Sequence, residues 1–581
     1  MSTATSRALE LPAVLEVLAA LAATDLGKER FLALVPSEDV DELERWRRMV
    51  GEAQELLARG GTLVPEAEEP IAPLLARLAA GEDQPSGGEL LRLVVLLSSG
   101  LRVLDRIGAD EGRYPVLTSE APAAAACRAL ASRVERLLDR RGELREDATP
   151  RLAASRRRIR QLRESLYTEL RTSVESHREE LAEDTIPIRN GRLVVLVKAG
   201  ARGRLQGISH GRSSSGQSFY FEPLSVVEGN NRLGQAQEDE ELERRRILAE
   251  LASEVSSAWP EIVGLVEFMT MLDLAQALCR WIDRADARWV ETGIEGELRL
   301  KGARHPLLDP RLADLRRRAL GSSGHEGEVV ALDLELDPDH RLLVVTGPNA
   351  GGKTVALKTV GLLAVLHYCG VPLPVAPGSR MPPLETVVAT VGDDQDLLAD
   401  RSTFSGRLLR LAEAWEEASP RALILLDELG SGTDPEEGGA LAVALLEELL
   451  ARGALAVVTT HLLAVASAGF SSSGADSAAM EFDSESGGPT YHLLRGAPGG
   501  SEALALAERL GLPGSWLRRA RELLSPDHRA LNRLLEEVEE QRRSVAAERS
   551  LLAETTGQVE KERVTLEERI AELERERNKV G

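Results

Sequence analysis

Cysteine is scarce and scattered. The 581 residues hold three, Cys127, Cys279 and Cys369, with no C-x-x-C pair and no His spacing suited to zinc. That excludes a disulfide framework and a Cys/His zinc site, and the thiols are expected to lie buried in a reducing compartment. Aromatic residues make up only 3% of the chain while Leu and Ala dominate it, which argues against an aromatic-rich sandwich and for long helices. Positive charge is in deficit: 71 Lys and Arg face 94 Asp and Glu, a formal net charge of -23. A surface that embraces nucleic acid all over is therefore excluded, and any contact with phosphate must be local. No uninterrupted apolar run reaches the roughly 20 residues of a membrane span. Glu10 and Glu16 interrupt the apolar stretch near the N-terminus, which has no basic start leading into a cleavage site. The chain is expected to be soluble and cytoplasmic.

At 581 residues the chain exceeds a single domain several-fold, and three or more units are expected, mainly α with one α/β domain. Residues 1–126 read as amphipathic helices separated by breakers such as Gly60-Gly61 and Ser86-Gly87-Gly88, a helical core. Residues 127–185 read as an outgoing lever helix, with Ile159, Leu162, Leu166, Leu170, Val174 and Leu181 at helical spacing. The period then changes. Residues 186–226 offer short strands joined by Asn190-Gly191 and Ser/Gly turns, a small β insert. Helical spacing returns over 227–286 as a second lever, which places the insert at the tip of an antiparallel pair. Residues 287–525 alternate strand-like and helical runs, as in a parallel α/β sheet. Over 526–581, Leu531, Val538, Val545, Leu552, Val559, Leu566, Leu573 and Val580 recur at intervals of seven. The companion seam holds Arg542, Arg549, Thr556 and Arg563 beside Leu535 and Ile570, so a marginal coiled coil and a solvated charged helix both remain open.

The chemistry is concentrated in the α/β region. The apolar run LLVVT leads into Gly347-Pro348-Asn349-Ala350-Gly351-Gly352-Lys353-Thr354, matching G-x-x-x-x-G-K-[ST], and a helical pattern follows at once. Glycines let backbone N–H groups turn onto phosphates at a helix N-terminus, Lys353 neutralises the β and γ groups of ATP, and Thr354 is placed to ligate Mg²⁺. A second run, ALILL, ends in Asp427-Glu428: one carboxylate to hold Mg²⁺, the next to polarise the attacking water. A third, ALAVVTT, ends in His461, an imidazole suited to contact the γ-phosphate or the water. Between and after them lie Gly392-Asp393-Asp394-Gln395, Arg401-Ser402-Thr403-Phe404-Ser405-Gly406 and Gly430-Ser431-Gly432-Thr433-Asp434-Pro435.

The order of these elements resembles the ABC superfamily, whose two sites are each completed by the partner subunit. Within it, GPNAGGKT, RSTFSG and LDELGSGTDPEEGGALA resemble the MutS ATPases. The segments ELPAVLEVLAALAATDLGKERFLAL, VVLVKAGARGRLQGISHGRSSSGQSFYFEP and ARHPLL look like the second bacterial MutS branch, so the resemblance covers nearly the whole chain. It implies a homodimer in which Ser402 reaches the γ-phosphate of the partner's ATP, Asp434 lies at the dimer interface, and Gln395 couples nucleotide to the helical arms. It also implies that the β insert is a clamp on nucleic acid. The insert suits that role, because Arg189, Arg192, Lys198, Arg202, Arg204 and Arg212 lie within 24 residues of an otherwise acidic chain, although a basic solvated hairpin fits too. Of Phe219, Tyr220 and Phe221, alternate members are expected to pack the small module's core.

The chain starts directly with the helical core and shows no Phe-x-Glu reader, so mismatch recognition is not expected. It also shows none of the Leu-Asp-x-Arg/His-Gly or His-Gly-x-Gly signatures of the Smr domain that family members usually carry, so nuclease activity is not expected either. The implied function is a dimeric ATP-hydrolysing clamp, acting on branched DNA to suppress recombination, on stalled or collided ribosomes to split their subunits, or on both. A non-catalytic ATP-gated scaffold that recruits a separate nuclease is the alternative, and the intact Glu428 speaks against it.

Overall fold

A computed structural model of the chain describes residues 2–60, 62–65, 69–81, 84–110, 112–201, 204–214, 216–322, 329–347, 351–392, 403–482, 489–496 and 511–523, with Thr555 and Arg563. Arg202, Pro348, Asn349, Ala350, Gln395, Ser402 and the heptad segment apart from those two residues lie outside this description. The chain forms two compact units: residues 22–30 and 49–276 make one, and residues 1–21, 31–48 and 277–581 the other.

Among the described residues, nine helices come first: α1 Thr3–Ala8, α2 Leu11–Ala19, α3 Asp25–Leu32, α4 Val40–Gly60, α5 Ala72–Ala80, α6 Gly87–Gly108, α7 Pro115–Glu120, α8 Ala125–Leu137 and α9 Pro150–Ser176. The start of α6 shows how local sequence sets a boundary. The Ser86 hydroxyl accepts from the Glu89 N–H at 3.3 Å and the Glu89 carboxylate accepts from the Ser86 N–H at 2.8 Å, so two helix-end donors are satisfied reciprocally. The lever expected over 127–185 is interrupted. α8 ends at Leu137, a bridge between Leu138 and Leu144 follows, and α9 begins after its Thr149 cap. α9 also stops at Ser176. Leu181 keeps the helical phase of Val174, but it sits in a strand and pairs with Val197.

The insert contains β1 Leu181–Glu183, β2 Ile188–Arg189, β3 Arg192–Leu193, β4 Val195–Lys198, β5 Gly207–Arg212 and β6 Ser218–Pro223. β1, β4, β6 and β5, in that order, form an antiparallel sheet, and β2 pairs with β3 across Asn190 at φ 48° and Gly191 at φ 75°. Positive φ at both central residues is the hairpin turn that Asn-Gly favours. α10, Leu224–Ala285, follows. Ile159, Leu166, Leu170 and Val174 of α9 share one core with Val195, Val197, Phe221, Leu233 and Ala236. Gly229 permits the approach of α10 to α9, since a Cβ there would lie 2.5 Å from Leu166 Cδ2. α10 is long and apolar enough over one window to resemble a membrane span, yet 72% of that window is buried inside the protein, as in a core helix.

The other unit adds β7 Glu291–Thr292, β8 Leu298–Ala303, α11 Ala313–Leu320, β9 Leu332–Leu336, β10 Leu342–Thr346, α12 Lys353–Tyr368, β11 Arg380–Met381 and β12 Thr386–Thr390. After them come α13 Thr403–Glu416, β13 Ala422–Leu426, α14 Pro435–Ala451, β14 Leu455–Thr459, α15 Leu463–Ser471, β15 Ala475–Phe482, β16 Pro489–Arg495 and α16 Gly514–Leu523. Six strands form one sheet in the order β12-β13-β14-β10-β15-β16, parallel except for β16. β10, β13 and β14 are buried along their whole length, which explains why they read as continuous apolar runs instead of alternating ones. One face packs Leu342, Val344, Ile424, Leu426, Ala456 and Val458 against Leu446 and Leu449 of α14 and Val465 of α15. The first residues of the chain belong to this unit: Glu10 pairs with Lys358 at 2.7 Å, the Thr5 hydroxyl accepts from the Ala389 N–H at 3.3 Å, and Trp46 Nε1 donates to the Gly370 carbonyl at 3.0 Å.

Candidate functional site

Because β10, β13 and β14 are parallel neighbours, the loops at their carboxyl ends open on one edge of the sheet, where α/β folds place their ligands. At the end of β10, Gly347 takes φ 125° and Gly352 takes φ 90°, a region that only glycine enters freely. Both are also crowded. A Cβ on Gly347 would lie 3.3 Å from Met480 Cβ, and one on Gly352 would lie 2.9 Å from the ring of Tyr491. Gly352 caps the N-terminus of α12, so the first free N–H groups of that helix face the loop. Lys353 is 2% exposed and its ammonium donates to the Gly347 carbonyl. Burial pushes the ammonium pKa below its ordinary value, against the pull of the Glu428 and Asp427 carboxylates.

The end of β13 meets this helix start. Thr354 Oγ1 donates to Asp427 Oδ2 at 2.8 Å, and Thr459 Oγ1, from the end of β14, donates to Asp427 Oδ1 at 2.6 Å. Glu428 follows in a left-handed conformation at φ 50°, with its N–H on Thr459 Oγ1 at 2.8 Å. The Leu429 N–H bonds to the Thr459 carbonyl at 2.8 Å. Thr460 donates to the Leu429 carbonyl at 3.1 Å and accepts from the Leu462 N–H at 3.0 Å, so the residues flanking His461 are tied to the same turn. His461 itself is exposed.

Asp434 caps α14, accepting from the Glu436 N–H at 2.9 Å and the Glu437 N–H at 3.3 Å. This fixes the loop from Gly430 to Asp434, which Arg407 of α13 also holds by donating to Ser431 Oγ at 2.6 Å. Gly351, Gly352, Lys353, Thr354, Asp427, Glu428 and His461 thus stand on adjoining loops of one sheet edge, with Asp434 a short loop beyond Glu428. Thr459, Thr460 and Arg407 escaped the sequence reading. Threonine at the end of a buried strand looks like an ordinary β-branched residue, and its only signal was the polar pair Thr459-Thr460 closing an otherwise apolar run before His461.

The chemistry of this set is specific. A hydroxyl and a carboxylate in contact, Thr354 and Asp427, form the oxygen-donor pair that a hard divalent cation takes. A helix N-terminus with positive-φ glycines and a buried ammonium fits a polyphosphate.

The cations of the β insert divide into two kinds. Arg189 is exposed and stacks over Tyr220 at 5.1 Å, Arg212 over Phe219 at 5.2 Å, and Arg204 is exposed. Lys198 is exposed but donates to the Glu179 carbonyl at 2.8 Å. Arg192 turns inward: it pairs with the fully buried Glu222 at 2.7 Å and reaches Asn231 Oδ1 at 2.6 Å. Glu222 also accepts from Asn230 Nδ2 at 2.8 Å and lies 2.6 Å from His210 Nε2. Phe219 and Phe221 are buried and Tyr220 is half-buried.

The family profile of MutS domain V matches residues 343–526, the stretch that carries all three loops. Over almost its whole length the chain resembles proteins named Endonuclease MutS2. That of Thermomicrobium roseum is 36% identical over 562 residues, 94% of this chain and 69% of the relative. Those of Pelotomaculum thermopropionicum and Geobacillus thermodenitrificans are 35% and 34% identical, covering 97% and 98% of this chain and 70% and 71% of the relatives. Identity of 34–36% over 94–98% of the chain means that it belongs to the MutS family, in its MutS2 branch.

Proposed function

We propose that this protein is an ATPase of the ABC type that works as a homodimeric, nucleotide-gated clamp on nucleic acid. The observation that carries the reading is the contact of Thr354 with Asp427 beside the buried Lys353, at the loop edge of the parallel sheet. Gly347, Pro348, Asn349, Ala350, Gly351 and Gly352 wrap the phosphates of ATP, and Lys353 and the N-terminus of α12 balance their charge. Thr354 and Asp427 hold Mg²⁺, which when bound neutralises charge developing on the phosphate oxygens. Glu428 accepts a proton from the attacking water and orients it, and His461 stands at the γ-phosphate.

Ser402 and Asp434 act across the dimer, and Gln395 transmits the state of the nucleotide to the helical levers. At the β insert, Arg189, Lys198, Arg202, Arg204 and Arg212 meet phosphates, with Arg192 holding the module together. Branched DNA and the RNA of a stalled ribosome suit this gate equally by charge. Mismatch reading and endonuclease activity, the latter printed in the relatives' name, form no part of the proposal. The test is a Glu428→Gln chain loaded with ATP and purified from cells. It is expected to retain ATP, to lose turnover, and to carry DNA or ribosomal subunits with it. Turnover equal to that of the unaltered chain would sink the ATPase reading, and retention of ATP with neither DNA nor ribosomes would sink the clamp.

A further inference from the structure

We propose that Thr459 is a positioning residue for hydrolysis: one hydroxyl sets the Asp427 carboxylate and the Glu428 backbone relative to each other. The inference rests on the ATPase reading and adds to it a residue on a different strand. β14 lies between β13, which leads into the two carboxylates, and β10, which leads into the phosphate loop of that reading. Thr459 is its last residue and is fully buried. A hydroxyl has a single proton to donate. Here that proton goes to Asp427 Oδ1 at 2.6 Å, while an oxygen lone pair takes the Glu428 N–H at 2.8 Å.

The two bonds do different work. The first leaves Asp427 Oδ2 to Thr354 and fixes the rotation of the carboxylate about its own axis. The second holds the peptide that enters Glu428, the one residue at this edge outside glycine that adopts a left-handed backbone among the described residues of β10, β13 and β14 and the turns at their ends. A left-handed Glu persists only where its surroundings over-determine it, and the Thr459 carbonyl completes that hold by taking the Leu429 N–H at 2.8 Å. Ordinary satisfaction of a buried threonine needs only a neighbouring backbone carbonyl, the arrangement that Thr346 makes with Ala478 in the same sheet. Thr459 instead spends its proton on the carboxylate proposed to hold the metal. Loss of the hydroxyl should therefore displace the water-activating Glu428 while leaving the phosphate loop intact.

Thr459→Val keeps shape and β-branching and removes the hydroxyl, and Thr459→Ser keeps the hydroxyl. Three quantities are measured on the full-length chain: the thermal midpoint, the affinity for a fluorescent ATP analogue with Mg²⁺, and kcat for phosphate release. The Val chain is expected to bind nucleotide within about 5-fold of the unaltered chain, the worth of one ordinary hydrogen bond. Its kcat should fall by about 100-fold, the cost of a slightly misplaced catalytic group. The Ser chain should recover most of that loss. Unchanged kcat in the Val chain overturns the proposal, as does a parallel loss of binding and kcat, which marks a merely structural role. If the Val chain fails to fold, a Ser chain that folds and binds but turns over as slowly as Glu428→Gln overturns it as well. Failure of the underlying ATPase reading looks different: the unaltered chain and Glu428→Gln would then turn over alike.

Discussion

Thr354 and Asp427 stand 73 positions apart and meet at 2.8 Å, the hydroxyl of a helix start donating to the carboxylate at the end of a strand. Their contact joins the loop after β10 to the loop after β13. Asp427→Asn keeps the shape and the hydrogen bond from Thr354 but removes the charge that a divalent cation needs. Phosphate release at saturating ATP and Mg²⁺ is expected to fall by about 100-fold, as on loss of one electrostatic contact to a transition state. Turnover within a few-fold of the unaltered chain would remove Asp427 from the metal site.

Lys353 is buried and burial lowers its pKa, so its charged form is disfavoured in the fold. Lys353→Met should leave the thermal midpoint of the free protein at or above that of the unaltered chain. Added Mg-ATP at about 100 times its Kd should stabilise the unaltered chain by about 2.7 kcal/mol and the Met chain not at all. Equal ATP-induced shifts in scanning calorimetry would refute the role given to Lys353.

The β insert should separate binding from stability. Replacing Arg189 and Arg212 together by Ala is expected to leave the melting curve in place and to make the salt dependence of nucleic-acid binding shallower, by about 0.9 in log–log slope for each phosphate no longer neutralised. Arg192→Ala should do the reverse first, destabilising the insert by about 2–3 kcal/mol because Glu222 is left buried without its guanidinium. A melting curve unchanged by Arg192→Ala would contradict this division.

Glu222 also sets a pH dependence. Burial alone would raise its pKa, but hydrogen bonds from His210, Asn230 and Arg192, together with the Arg192 charge, outweigh burial and hold it below the ordinary value of 4.5. The folded carboxyl thus keeps its proton less readily than the unfolded one. Its contribution to stability is full above pH 4.5 and is lost as the pH falls from there through the depressed folded pKa. Urea denaturation of the unaltered chain and of Glu222→Gln across this range should show a steeper acid loss in the former, and parallel curves would exclude Glu222 as the cause.

The proposed completion of each site by a partner chain predicts complementation. Lys353→Ala chains and Ser402→Ala chains are each expected to be inactive alone, while a mixture allowed to exchange subunits regains one working site per heterodimer. Failure of every mixture to recover phosphate release would count against completion of the site by a partner chain.

The parts of the fold that local pattern dictates were readable. The runs LLVVT and ALILL and the LAVVT within ALAVVTT are strands β10, β13 and β14, because strands buried on both faces need unbroken apolar sequence. Asn190-Gly191 marked its hairpin for the same local reason. Leu181 misled, since helical spacing records which face a residue takes and says nothing about its hydrogen-bond partner, and the strand partner Val197 prevailed. The sharing of one compact unit by residues 1–21, 31–48 and 277–581 left no local trace, because contacts such as Glu10 with Lys358 span 348 positions. Within the candidate site, glycine, lysine and carboxylate spacing marked the loops after β10 and β13, whereas Thr459 and the inward turn of Arg192 depend on neighbours that only the tertiary fold supplies.

That long-range closure imposes an order on synthesis. Residues 1–21 and 31–48 are made long before the rest of their compact unit, whose strands β15 and β16 come only after position 474. At about 5–20 residues per second α1 waits on the order of 20–80 seconds for β12, the strand it packs beside. During that wait Leu9, Leu15 and Leu18, all buried in the finished fold, have nothing of the sheet to cover them. Apolar surface left uncovered in this way is where a growing chain is most open to aggregation.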